Sequence, residues 1–302
     1  MSSGILANVP GMRDAPEVPE LDAGTLTESV FNSEYVANSR PCVIRGAVRH
    51  WAALEKWRDR NYLKQRCGHR EVSLFQSELH VTKKRMDGRQ KAMIFADAID
   101  YLHLDDTERG LVVTGTLTEL LCDLGGVSFL SKAEPAFWYN PARYFFYRNS
   151  GSAWHHHPFD ETLMSQIIGS KRIGLIGTDH PHNPALRDIF FAEDYYDDAT
   201  AFAPLEGQKL AWFSATLQPG DALYIPPLWW HGVVPLTDSF GATAPVTWRS
   251  PPHVIANSIT RIARGEIDMI GKTTAPHFQS LVETARKLGL EHELATAWNR
   301  GV

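Results

Sequence analysis

Between Arg143 and Trp248 the chain divides into short apolar runs separated by turn residues, and this pattern leaves few folds open. Tyr144-Phe-Phe-Tyr147 precedes Asn149-Ser-Gly151, Leu163 to Ile168 precedes Gly169-Ser170, and Lys171-Arg-Ile-Gly-Leu-Ile176 follows. Further on, Lys209 to Phe213 precedes the turn Pro219-Gly-Asp221, and Ala222 to Ile225, His231 to Val234 and Gly241 to Trp248 come after it. Many short strands with such turn signals predict a sandwich or barrel.

The flanks are more helical. Residues 1–20 are rich in Pro, Gly, Ser and Asp and read as a flexible lead. Leu26 to Val36 reads as a helix, with Thr25 as N-cap and Glu28 completing a capping box. Pro41 to Gly46 and Glu71 to Phe75 read as strands. Trp51 to Cys67 reads as an amphipathic helix ended by Gly68, and Lys91 to Leu102 as a strand turning into a helix. Leu111 to Thr114 is another strand. The tail from Pro252 to Arg300 reads as mostly helical, with a break around Gly271 to Pro276. There Ile255, Ile259, Ile262 and Ala263 recur at helical spacing, as do Leu281, Ala285, Leu288 and Leu294. The 302 residues suit one large domain with an appendage. The expected division is a lead over 1–20, a β domain over 21–250 and a helical region over 251–302.

Several function classes are disfavoured. No apolar run has the length of a membrane span. The first residues show no basic-then-apolar secretory signal. A formal net charge of −5 argues against general nucleic-acid binding. The three cysteines, Cys42, Cys67 and Cys122, lack zinc-finger spacing and read as structural or surface thiols of a reducing cytoplasm.

The chemistry gathers in two segments, Ser152-Ala-Trp-His-His-His-Pro158 and Pro219 to Gly232. On a strand, residues i and i+2 share a face, so His155 and His157 can point into a barrel while His156 points away. A third ligand from a distant strand, His231, would complete one facial set of the kind that holds iron for oxygen chemistry. His180 and His182, in Thr178-Asp-His-Pro-His-Asn-Pro184, read as a solvated loop.

Three further motifs carry a resemblance to a family. PCVIRGAVRHWAALEKW (41–57), QIIGSKRIGLI (166–176) and LQPGDALYIPPLWWHG (217–232) resemble segments of the JmjC, or cupin-like, Fe(II) and 2-oxoglutarate oxygenases. The look is closest to the branch containing the asparaginyl hydroxylase that inhibits hypoxia-inducible factor. The resemblance implies a mainly β fold with flanking helices, a double-stranded β-helix or jelly-roll (cupin) barrel with a helical C-terminal extension. It implies Fe(II) held by His-x-Asp or His-x-Glu plus a distal His, and O2 and 2-oxoglutarate as cosubstrates for C–H hydroxylation. It also implies a homodimer through the C-terminal helices. Carried over, Lys171 would pair with the distal carboxylate of 2-oxoglutarate. Thr162 and Ser152 would stand near that cosubstrate, and Trp248 would line the pocket.

The chain departs from the family where the carboxylate is expected. Counting from Ser152 and Pro158 makes His155 and His157 the ligands. Counting back from Lys171 puts His156 and Pro158 in those places. A third arrangement bends Asp160 back to the metal. Replacing a carboxylate by imidazole leaves the metal site more cationic and opens it to copper or zinc. Three functions remain in view: a 2-oxoglutarate oxygenase acting on a peptide or protein side chain or an amino-acid-derived metabolite, a three-histidine oxidase that needs no 2-oxoglutarate, and a non-catalytic binding protein. The loop from Asp179 to Ala203 would carry specificity; its acidic part, Glu193 to Asp198, reads as a solvated loop, with attraction of a basic partner as the lesser alternative.

Overall fold

The computed structural model describes residues 4–76, 79–80, 90–104, 111–137, 142–192, 198–237, 240–267 and 275–300. Most predicted strands form, with edges moved by up to three residues, but the run Lys209–Phe213 is strand only from Phe213 onward, and two short strands, at 20–22 and 79–80, are not among those expected; the described strands follow in chain order. They are β1 (Glu20–Asp22), β2 (Cys42–Arg45), β3 (Glu71–Gln76), β4 (Leu79–His80), β5 (Gln90–Ile94), β6 (Leu111–Thr116) and β7 (Arg143–Arg148). Then come β8 (Gly151–His155), β9 (Asp160–Ile168), β10 (Lys171–Gly177), β11 (Phe213–Leu217), β12 (Ala222–Ile225), β13 (Trp229–Pro235) and β14 (Gly241–Arg249).

Two sheets result among the described residues. One runs β1-β2-β12-β9-β14-β7-β6-β3-β5 and the other β11-β10-β13-β8-β4. From β7 onward the chain passes back and forth between them, which is the jelly-roll arrangement. One end of the interior is filled with aliphatic side chains, among them Ile173, Leu175, Leu217, Leu223 and Ile225. The family-like motifs at 41–57 and 217–232 meet at one turn. Asp221 accepts from Arg45 Nη1 at 2.6 Å and from the Gly46 N–H at 3.0 Å. Gly220 holds φ +95°, a backbone region that side-chain-bearing residues rarely adopt.

Helices cover both outer faces. Against the larger sheet lie α3 (Ala53–Lys56), α4 (Arg60–Cys67) and α5 (Phe95–Leu102), after the short α1 (Gly4–Ala7) and α2 (Glu28–Val30). The expected single helix over 51–67 is broken, because Asp59 turns extended and caps a new helix through the Asn61 N–H at 2.8 Å. The cap near residue 26 is Thr27, not Thr25: its hydroxyl accepts from the Val30 N–H. Glu28 does not turn back to a cap; it accepts instead from Ser131.

The N-terminal lead is a correction. Ile5, Leu6, Val9 and Met12 are buried against Trp154, Trp212 and Trp230 on the outside of the smaller sheet, so this segment is not a flexible lead. The indoles fix its backbone: Trp154 Nε1 donates to Ile5 O at 2.8 Å and Trp212 Nε1 to Pro10 O at 2.9 Å.

The smaller sheet also carries α6 (Asn183–Ala192), and the tail forms α7 (Pro252–Arg264), α8 (Ala275–Lys287) and α9 (Glu291–Arg300). The break expected at 271–276 falls largely outside the described residues. Ile255, Ile259 and Ile262 pack with Leu281, Ala285 and Leu294 against Phe159 and Leu228 of the barrel. These apolar stripes are covered within the chain, so the dimer expectation draws no support from them. Cys42 and Cys67 are buried and Cys122 exposed, all three as free thiols. Among the described residues no helix is long and apolar enough to cross a membrane.

Candidate metal centre

His155 and His231 are direct register partners on β8 and β13. His157 follows two residues after His155, and its backbone carbonyl accepts from the Leu228 N–H at 2.8 Å, which ties the two ligand-bearing segments together. Leu228 sits at φ +63°, a left-handed conformation costing on the order of 1 kcal/mol, in the turn that delivers His231. The carbonyl of Pro158 is fixed as well, by the Ser258 hydroxyl of α7.

The three imidazoles converge. One potential ligand nitrogen from each of His155, His157 and His231 lies within 4.8 Å of the others. Each Nδ1 already has a partner. His155 Nδ1 is 2.8 Å from Ala153 O, His231 Nδ1 is 2.9 Å from Trp229 O, and His157 Nδ1 is 3.2 Å from Thr162 Oγ1. A carbonyl only accepts, so Nδ1 of His155 and His231 carries the proton and Nε2 the lone pair. Burial pushes all three below the ordinary histidine range, furthest for His157 and His231, so they are neutral imidazoles suited to a metal.

His156 takes the opposite face, as alternation predicts. It is fully buried edge-on to Trp230, with ring centroids 4.6 Å apart, and neither of its nitrogens has a partner among the described residues. The arrangement with Asp160 as ligand is not formed: its Oδ1 accepts from the Phe137 N–H at 2.7 Å. Glu161 also turns away from the histidines. Tyr224 donates to its carboxyl at 2.7 Å, and burial pushes its pKa up to about 8.

The histidines form one wall of a cavity of about 110 Å³ between the two sheets. Ser152 and His155 both face it although three positions apart, because the β8–β13 register slips between His231 and Val233. Thr162 lines it beside His157. Lys171 reaches in from β10. Its Nζ donates to Thr243 Oγ1 at 2.7 Å and rests 4.1 Å from the centre of the Tyr147 ring. Gln166 supports both neighbours, accepting from Thr243 and donating to the Tyr147 hydroxyl at 2.8 Å. Among the described residues no carboxylate pairs with this ammonium, and desolvation pushes its pKa down to about 7.

Trp248 does not line this cavity. The inward positions of β14 are Thr243, Pro245 and Thr247. Trp248 therefore faces the outer side, packed on Phe31 and Tyr224. Among the cavity residues that escaped the sequence reading are Arg143 and Tyr147 on β7, and Thr243. Strict alternation in Arg143-Tyr-Phe-Phe-Tyr147 was the available signal. The cavity's tyrosine, Tyr147, comes from β7. None of the described residues between Asp179 and Ala203 lines the cavity, and Glu193 to Asp197 lie outside the described residues. His180 and His182 stand 5.4 Å apart in their loop and join no potential metal group among the described residues.

A family model described as a cupin-like domain matches residues 27–257. Jumonji C domain-containing protein 5 of Drosophila melanogaster is 27% identical over 250 residues, 75% of this chain and 59% of the relative. Lysine-specific demethylase 8 of Xenopus tropicalis is 24% identical over 254 residues, 78% of this chain and 54% of the relative. A shorter stretch of 57 residues, 19% of this chain and 17% of the relative, is 42% identical to the human bifunctional peptidase and (3S)-lysyl hydroxylase JMJD7. The chain spans about half the length of the longer-matching curated relatives. These relatives do not single out the asparaginyl hydroxylase branch.

Proposed function

The chain belongs to the cupin-like family of JmjC domains, and from that premise we propose that it is a non-haem iron oxygenase that consumes 2-oxoglutarate and O2 and oxidises a C–H bond. The observation that carries this reading is one cavity holding both three convergent neutral imidazoles and a buried lysine that no described carboxylate pairs with. Buried charges are normally paired, so a ligand carboxylate is the natural complement of Lys171.

His155, His157 and His231 would hold the metal through Nε2, with the Nδ1 bonds fixing tautomer and ring orientation. Bound iron supplies the redox chemistry in which 2-oxoglutarate, O2 and a substrate R–H give succinate, CO2 and R–OH. Lys171 and Thr243 would grip the distal carboxylate of the cosubstrate, with the Tyr147 ring backing the ammonium. Thr162, through His157, would set the angle of the third imidazole. The substrate is a small molecule or a side chain able to enter between the sheets. The lysine in two relatives' names is not carried over, because the cavity offers no described carboxylate to receive it.

A second reading rests on His157 standing where the family places a carboxylate: a three-histidine oxidase without 2-oxoglutarate. The test is anaerobic titration of the Fe(II) protein with 2-oxoglutarate, followed by succinate measurement in air. A saturable charge-transfer band and succinate release support the oxygenase. Metal binding with no effect of 2-oxoglutarate on either readout sinks it in favour of the oxidase.

A further inference from the structure

Gln166 does not line the cavity, yet it bonds to two of the polar groups that do. It is fully buried on β9, at a position that shares the face of Thr162 and Met164. A β-bulge brings it opposite Thr243: one step along β14, from Ala242 to Thr243, matches two along β9, from Ile168 to Gln166. The turn before β12 holds its backbone. The Gln166 N–H donates to Asp221 O and the Gly220 N–H donates to Gln166 O, both at 2.9 Å.

The orientation of its side-chain amide is fixed by what surrounds it. Nε2 donates to Ile168 O at 2.6 Å, to Gly169 O at 3.0 Å and to the Tyr147 hydroxyl at 2.8 Å. Two of these partners are carbonyls, which only accept, so the nitrogen must face them. Oε1 then faces Thr243, whose hydroxyl donates to it at 3.1 Å. A hydroxyl has one proton. With that proton committed to Gln166, Thr243 can only accept from Lys171, whose Nζ donates at 2.7 Å.

The direction of this last bond decides what Lys171 can do. Were Thr243 to donate instead, the lysine nitrogen would need a free lone pair. It would then be a neutral amine, with no charge to offer a carboxylate. Desolvation already brings the two forms of this lysine close in free energy, so the direction of one hydrogen bond tips the balance.

Resting on the oxygenase reading, we propose that Gln166 is a positioning residue for 2-oxoglutarate: it fixes Thr243 as an acceptor, and Thr243 holds Lys171 as an ammonium for the distal carboxylate. The share of Thr243 in that grip is to hold the ammonium in place. Gln166 acts through this chain of hydrogen bonds rather than by touching the cosubstrate.

The test compares 2-oxoglutarate with 2-oxopentanoate, which keeps the 2-oxo acid head and the chain length but lacks the distal carboxylate. Both are titrated by calorimetry into protein carrying Mn(II). Wild type should prefer 2-oxoglutarate by at least about tenfold, and Gln166→Met should lose most of that preference while 2-oxopentanoate affinity stays within about twofold. Retained 2-oxopentanoate binding also shows that the variant is folded, since a merely structural defect weakens both ligands alike. Thr243→Val should lose the preference to the same extent and Thr243→Ser should keep it. The double variant Gln166→Met with Thr243→Val should lose no more than Thr243→Val alone. Equal binding of the two ligands by wild type, an unchanged preference in Gln166→Met, or losses that multiply in the double variant overturn the proposal. If Gln166→Met binds neither ligand, Gln166→Leu takes its place. If that also binds neither, the two Thr243 variants carry the test, and an equal preference in both overturns it. Failure of wild-type protein to bind 2-oxoglutarate at all is the separate result that removes the oxygenase reading, and the proposal falls with it.

Discussion

Lys171 is the residue whose protonation has a direct functional readout. Its ordinary pKa of 10.5 is pushed down to about 7 by desolvation, and among the described residues a hydroxyl and a ring face keep it company. A carboxylate binds the ammonium form. Above pH 7 the free protein must therefore take up a proton to bind 2-oxoglutarate, and affinity should fall roughly tenfold per pH unit. Below pH 7 the lysine is already charged and affinity should level off. Calorimetry in two buffers of different ionisation heat reads both the affinity and the proton uptake. Flat affinity from pH 6 to 9 would contradict this role for Lys171. The sequence showed the His155/His157 alternation plainly, because a two-residue period needs no partner strand. Arg143, Tyr147 and Thr243 were harder, since their inward facing depends on strand pairing far along the chain. Trp248 was misplaced for the same reason: its neighbours Thr243, Pro245 and Thr247 own the inward parity of β14.

Among the elements, β8, β10 and β13 depend on glycines facing Trp154. Gly174 and Gly232 are register partners, and a Cβ on Gly232 would come within 2.9 Å of the indole. The tryptophan before His155 and the glycine after His231 are thus two halves of one contact, on the sheet face opposite the imidazoles. Gly232→Ala should destabilise the fold by about 1–3 kcal/mol through overpacking and weaken metal binding as the β8–β13 pairing shifts. Denaturant unfolding and metal titration measure the two effects; an unchanged midpoint would show that the indole gives way freely. Strand positions were legible in the sequence because turn residues punctuate them. Helix boundaries were less so: Asp59 and Thr27 cap helices that apolar periodicity alone ran together or started early.

At the scale of the whole molecule, the N-terminal segment clamps the sheet that carries His155 and His231, with His157 just past the end of β8. The segment's Pro- and Gly-rich composition hid this: Ile5, Leu6, Val9 and Met12 recur at helical spacing, but their partners are tryptophans more than a hundred residues away. Ile5 is fully buried, so Ile5→Ala should cost about 2–5 kcal/mol in stability. A loss below 0.5 kcal/mol in chemical denaturation would show that the segment only rests on the surface. The barrel itself was evident from its strand and turn pattern.

The chemistry turns on which histidines hold the metal. Anaerobic Co(II) titration of four single variants, followed by visible absorption, decides it. His155→Ala, His157→Ala and His231→Ala should each lose at least a hundredfold in affinity, while His156→Phe, which replaces a ring with two unpartnered nitrogens against Trp230, should bind Co(II) like wild type. Tight binding by His157→Ala together with loss in a folded His156→Phe protein would contradict it.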